Sequence, residues 1–151
     1  MGKLVLVITM INERLIDIRL DADLKQEEMA EILKTTQPNY SRWENGTELI
    51  PLKKLNLLCN YFNVSMDYVI GKTRDADGNG KHDIYLMLIG SRLHTIRKKN
   101  HLTQTDLAEI LNTSQSTISA YESGKTIILT AFALQIVEKY NVSLDWLCGR
   151  K

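Results

Sequence analysis

Apolar residues recur three and four positions apart along most of the chain, the spacing that places them on one face of an α-helix. Ile11, Leu15 and Ile18 predict a first helix, Met29, Ile32 and Leu33 a second, and Tyr40 with Trp43 a third. Leu55, Leu58, Cys59 and Phe62 form a fourth stripe, and Val64, Met66, Val69 and Ile70 predict a short fifth helix. The alternation expected of a half-buried strand is almost absent. Five short amphipathic helices can enclose a single core.

The same pattern then starts again. Sliding the sequence by 78 positions aligns residues 14–72 with 92–150 without a gap, and about 21 of roughly 59 positions are identical, more than a shared helical rhythm produces. The matches include Arg14/Arg92, Arg19/Arg97, Gln26/Gln104, Ala30/Ala108, Gln37/Gln115, Glu44/Glu122 and Gly46/Gly124. The chain is therefore read as all-α, with a domain over 10–72, a Gly- and Asp-rich linker over 73–83 and a second domain over 84–151. Residues 1–9 are an apolar N-terminal segment or leader, and their β-branched content reads as strand-like. Punctuation agrees with the helices. Thr103 and Asp106 resemble a capping box that Lys25 does not reproduce in the first copy, Ser65 and Ser143 suit the N-cap of helix five, and Gly46 and Gly124 can end helix three.

Composition narrows the chemistry. The 151 residues carry 19 Lys and Arg against 18 Asp and Glu, so attraction to a polyanion must be local. The split is uneven, about −2 over residues 10–72 and about +3 over 84–151. Cys59 and Cys148 lack metal-site spacing and read as core fillers in a reducing cytoplasm. The N-terminal apolar run is too short to span a bilayer, so no membrane role is expected. Three histidines without a metal or nucleophile pattern, and a "GNGK" that is no phosphate loop, argue against an enzyme and against a cofactor or metal. The linker superficially follows a calcium loop, but Leu86 stands where the closing glutamate is required.

The segments "LKQEEMAEILKTTQPNYSRWENG" with "NVSMDYVIG", and "LTQTDLAEILNTSQSTISAYESG" with "NVSLDWLCG", resemble the Cro and lambda-repressor-like helix-turn-helix domains of the XRE family. The resemblance covers nearly the whole chain, twice. It implies two tandem five-helix domains that bind double-stranded DNA, each with helix three in the major groove. It also implies base contacts by Gln37 and Gln115, whose amides match the adenine edge. Pro38, Asn39 and Arg42 share that surface in the first copy, Arg42 suiting guanine, and Ser116, Thr117 and Ser119 do so in the second. Gln26 and Gln104 match the family's phosphate-contacting glutamine, with Asn45 and Lys125 as further phosphate candidates. Arg19 with Glu44, and Arg97 with Glu122, match an ion pair joining helix one to helix three, read here as structural. Trp43 and Tyr121 are expected in the core.

The copies differ where the family carries basic residues after helix three: one reads "TELIP", the other "KTIIL". Leu49 with Ile50, and Ile127 with Ile128, either cover the core or form an apolar contact between copies or between two chains, so a homodimer stays open. Fully stretched, the linker reaches about 36 to 40 Å, comparable with one turn of DNA. The leading expectation is a phage-like or bacterial repressor. The alternative is a protein-interaction module, of inhibitor or antirepressor type, in which the first domain binds a protein partner and only the second binds DNA.

Overall fold

The computed structural model describes residues 2–151. Among the described residues it contains helices and no strand, ten helices in all. They divide into two compact units, one running through His82 and one from Asp83 to Lys151. The first unit holds α1 (Gly2–Asp21), α2 (Gln26–Ile32), α3 (Gln37–Glu44), α4 (Leu52–Phe62) and α5 (Met66–Val69). The second holds α6 (Leu86–Lys99), α7 (Gln104–Leu111), α8 (Gln115–Glu122), α9 (Thr130–Tyr140) and α10 (Leu144–Leu147).

Each core is built from the residues the periodicity selects. Ile11, Leu15, Met29, Leu33, Tyr40, Leu55, Leu58, Cys59 and Met66 are almost wholly buried in the first unit, as are Leu93, Leu107, Ile118, Ala133, Ile136, Leu144 and Cys148 in the second. Both cysteines are free thiols. Ala30 and Ala108 are buried mid-helix, where α2 packs on α3 and α7 on α8.

The short connection between helices two and three is set by backbone polar groups. Thr36 caps α3 by accepting from Asn39 N, and Ser114 caps α8 by accepting from Thr117 N. Lys34 and Asn112 both adopt the left-handed conformation there, with φ of 55°, a state that asparagine tolerates and lysine resists. At α7, Thr103 and Asp106 close a full capping box. Lys25 has no acceptor, so at α2 only the reciprocal half exists, Glu28 Oε1 accepting from Lys25 N at 3.0 Å. Ser65 and Ser143 cap α5 and α10. Gly46 and Gly124, with φ of 80° and 76°, follow helix three.

Helix one is held to helix five by an arginine in each copy: the Arg14 guanidinium lies 4.0 Å from the Tyr68 ring centre and that of Arg92 lies 4.9 Å from that of Trp146. Its contact with helix three differs. With its amide turned to satisfy both acceptors, Asn12 Nδ2 donates to the carbonyls of Trp43 (3.1 Å) and Ile8 (3.3 Å). Gly90 stands at the matching position of α6, and a β-carbon there would lie 2.5 Å from the Tyr121 carbonyl oxygen and still closer to that of Glu122. The glycine lets two backbones touch.

Three expectations change. Residues 2–9 are helical, extending α1, and are not strand-like; adding turns to an existing helix is cooperative and overrides weak β propensity. Met1 lies outside the described residues. Val5 and Leu6 are 60% and 63% exposed on this extension. Residues 76–82 fold back on the first unit and do not act as a free tether. Ser65 N donates to Ala76 O at 2.9 Å, His82 N to Asn60 Oδ1 at 3.0 Å, and both Asn56 and Asn60 donate to His82 O. Side-chain amides thus satisfy this strap's backbone, which polar composition alone does not reveal. Finally, the apolar pairs split: Ile50 and Ile128 are 1% exposed and cover the cores, while Leu49 and Ile127 remain half-buried.

Replacing Gly90 with Ala forces α6 away from α8 and should destabilise the second unit by about 2 kcal/mol, the scale of overpacking. Thermal or urea denaturation checks this, and the reference change Asn12→Ala should act only on the first unit.

Candidate nucleic-acid interface

Glu44 and Glu122, at the ends of α3 and α8, are each only 6% exposed in side chain or whole residue. A carboxylate so placed must be matched by donors. Arg19 supplies Nε to Glu44 Oε1 at 2.6 Å and Nη2 to Oε2 at 3.3 Å. Arg97 does the same for Glu122, at 2.7 and 2.9 Å. Each guanidinium also donates to a backbone carbonyl at the start of helix two, Leu24 or Leu102.

The carboxylates have further partners that carry the geometry outward. Gln26 Nε2 donates to Glu44 Oε2 at 2.8 Å, and Gln37 Nε2 donates to Gln26 Oε1 at 2.8 Å. In the second unit Gln104 reaches Glu122 Oε1 at 3.3 Å and Gln115 donates to Gln104 Oε1 at 2.6 Å. An arginine, a glutamate and two glutamines thus form one relay from helix one to the first residue of helix three, made twice. Gln37 is half-buried and Gln115 exposed, so neither is packed into a core. Each uses one amide hydrogen on its neighbour and retains a carbonyl and a second hydrogen, the donor and acceptor an adenine edge requires.

Burial by itself would raise the carboxyls of Glu44 and Glu122, but the donated hydrogen bonds outweigh it and hold both below their ordinary 4.5. In the first unit the bonds come from Arg19, Tyr40 and Gln26, and in the second from Arg97, His94 and Gln104. The Tyr40 hydroxyl is pushed upward, chiefly by burial and then by its 2.7 Å bond to Glu44. His94 Nδ1 lies 2.9 Å from Glu122 Oε1 on the solvent side. Neither Tyr40 nor His94 was expected as a partner, because Ile118 and Ile16 occupy the matching positions of the other copy and break the repeat.

The remaining candidates are distributed as follows. Pro38 lies exposed in the first turn of α3. Asn39 Nδ2 donates to Thr35 Oγ1 at 3.2 Å, and its Oδ1 accepts from Arg42 Nη2. Arg42 Nε lies 3.2 Å from Glu48 Oε1. Glu48 was missed by sequence reasoning, which noted only the absence of a cation there. Ser116 Oγ and Thr117 Oγ1 lie 3.0 and 2.8 Å from Ser114 Oγ, so they are gathered at the α8 cap. Ser119 is half-buried and Lys125 exposed beyond α8. Asn45 is exposed at the end of α3, where its Oδ1 accepts from Thr47 N at 2.9 Å. Gln26 and Gln104 are half-buried and serve first as links in the relay.

Because the folded-state carboxyls sit below their ordinary value, the stability they contribute is complete above about pH 4.5 and is lost as pH falls through the depressed values. Glu44→Gln should cost the first unit about 3 kcal/mol, since Arg19 loses its counter-charge, and should flatten its acid unfolding profile. Urea midpoints measured against pH test both.

No described helix is long and apolar enough to cross a membrane. The helix-turn-helix family model matches residues 15–69 and again 93–147. The antitoxin PezA of Streptococcus pneumoniae serotype 4 is 32% identical over 65 residues, 43% of this chain and 41% of that protein. YobD of Bacillus subtilis, described as an uncharacterized HTH-type transcriptional regulator, is 34% identical over 65 residues, 43% of this chain and 58% of that protein. The chain thus aligns with about half the length of the curated relatives it matches. No solved structure matches. With both family matches falling on the paired helices and their relay, the chain belongs to the helix-turn-helix family and carries two of its Cro and lambda-repressor-like, XRE-type domains in tandem.

Proposed function

We propose that this protein is a sequence-specific DNA-binding transcriptional regulator working in the cytoplasm, and that it represses by occupying promoter sites. Helices α3 and α8 enter the major groove, where Gln37 and Gln115 read adenine, Arg42 reads guanine, and Asn39, Thr117 and Ser119 add edge contacts. Pro38 and Ser116 border that surface, while Gln26, Gln104, Asn45 and Lys125 meet phosphates and set register. The observation that carries this reading is the relay: two independent copies spend a buried ion pair and a glutamine on fixing one further glutamine at the surface. A core needs no such outward chain. One relative bears the name of a transcriptional regulator, which agrees.

A second reading has its own support. The first unit is about −2 in charge over residues 10–72, and Glu48 stands beside its reading arginine, an arrangement that disfavours phosphate. In this reading the first domain binds a protein and only the second binds DNA; the other relative is named an antitoxin.

Selection from random duplexes, followed by salt titration on the enriched site, separates the two. Two half-sites are expected. Gln37→Ala and Gln115→Ala should each cost about 1 to 3 kcal/mol at one adenine-bearing position. Lys125→Ala should weaken all duplexes alike and lower the salt slope by about one. A single half-site indifferent to Gln37→Ala would assign the first domain to a protein partner, and no enrichment would reject the regulator.

A further inference from the structure

We infer that Glu48 is a specificity-determining residue of the first domain, acting by aiming Arg42; the inference rests on the DNA-reading role proposed above for α3. A guanidinium donates along two edges. The side edge consists of Nε–H with one hydrogen of Nη2, and the end edge of Nη1 with the other. In this domain acceptors flank the side edge. Glu48 Oε1 lies 3.2 Å from Nε as an ion pair, off the line of a hydrogen bond, and Asn39 Oδ1 accepts from Nη2.

Both acceptors are themselves anchored. Glu48 N donates to the Arg42 carbonyl at 3.2 Å, closing a loop around the arginine. Asn39 is oriented by the bond from its Nδ2 to Thr35 Oγ1 at 3.2 Å. The chain Thr35, Asn39, Arg42, Glu48 therefore runs along one side of α3, and no described residue bonds Arg42 Nη1. Nη1 with the remaining Nη2 hydrogen can present two N–H groups to guanine O6 and N7 together. A free arginine would lose rotamer entropy on reaching that pose, whereas this one is already held.

Glu48 has a second, opposite effect. It adds negative charge beside the approaching backbone and weakens binding to every duplex, whatever its sequence. The two effects together exchange general affinity for discrimination. With Arg42 and Glu48 side chains 40% and 56% exposed, the pair adds little to folding stability. Its contribution lies in aim. The second domain has Ala120 and Thr126 at the matching positions and possesses neither part of the device.

The test uses the full chain and the duplex it selects. Arg42→Ala first identifies the base pair whose preference depends on Arg42. At that pair, Glu48→Ala should reduce the preference for guanine over adenine by about three- to tenfold while tightening binding to an unrelated duplex. Glu48→Gln removes the charge that holds the ion pair, so it should lose a similar share of the preference with the same gain on unrelated DNA. In the DNA-free protein, the Arg42 side chain should become more mobile in Glu48→Ala, read by NMR as a lower Nε–H order parameter. An unchanged guanine preference, or an unchanged order parameter, overturns the inference. If Arg42→Ala alters no base preference, the reading role of α3 fails and this inference falls with it, a result visible in that arm alone.

Discussion

A buried carboxylate at the end of helix three constrains everything around it. Glu44 and Glu122 cannot remain charged inside a domain of this size without several donors, and those donors must come from different helices. Arg19 and Arg97 bring helix one; Gln26 and Gln104 bring helix two. The same guanidinium fixes the entry to helix two through the Leu24 or Leu102 carbonyl. Three helices are thereby located by one anion, and the surplus hydrogen-bonding capacity runs outward to Gln37 and Gln115. An ion pair in this position adds little net stability compared with a well-packed apolar substitute, but it fixes orientation.

The two copies satisfy that constraint with different supporting residues. In the first, the buried Tyr40 hydroxyl shares Glu44 Oε1 with Arg19, leaving Oε2 to Gln26 and Arg19 Nη2. In the second, His94 takes that role from the surface and meets Gln104 on the same oxygen, where the glutamine bond lengthens to 3.3 Å. The outward faces of α3 and α8 have diverged as well: the first pairs an arginine with a nearby acid, and the second has small hydroxyl residues with Lys125 beyond them. Duplication kept the scaffold and released the surface.

Much of this was legible in the sequence because the determinants are local or repeated. Helical stripes, caps at Ser65, Ser143 and Thr103, and glycines 46 and 124 each follow from residue type and spacing. The repeat set Arg19/Arg97, Glu44/Glu122 and the glutamines at one offset, and the resemblance to the helix-turn-helix family implied the ion pairs and the glutamine roles. What the repeat did not share was harder to see. Asn12 and Gly90 make the contact between helices one and three by unlike means, and Tyr40 and His94 have no counterparts. Residues 76–82 look like free linker because their partners are backbone atoms and asparagine amides, which leave no periodic signal. Residues 2–9 depend on continuation of an existing helix, which outweighs the strand preference of valine and isoleucine. Ile50 and Ile128 are covered while their neighbours are not, a distinction of tertiary packing.

The most direct measurement is an NMR titration of the full chain with the duplex it selects, following the side-chain amides of Gln37 and Gln115. Gln135 on α9, whose amide bonds the Ala131 carbonyl within its own helix, serves as the internal control. The account requires both reading amides to shift and saturate at the stoichiometry of binding while Gln135 stays in place. Binding that leaves Gln37 and Gln115 unperturbed would contradict it, because the relay would then end in solvent and the duplex would be held by another surface.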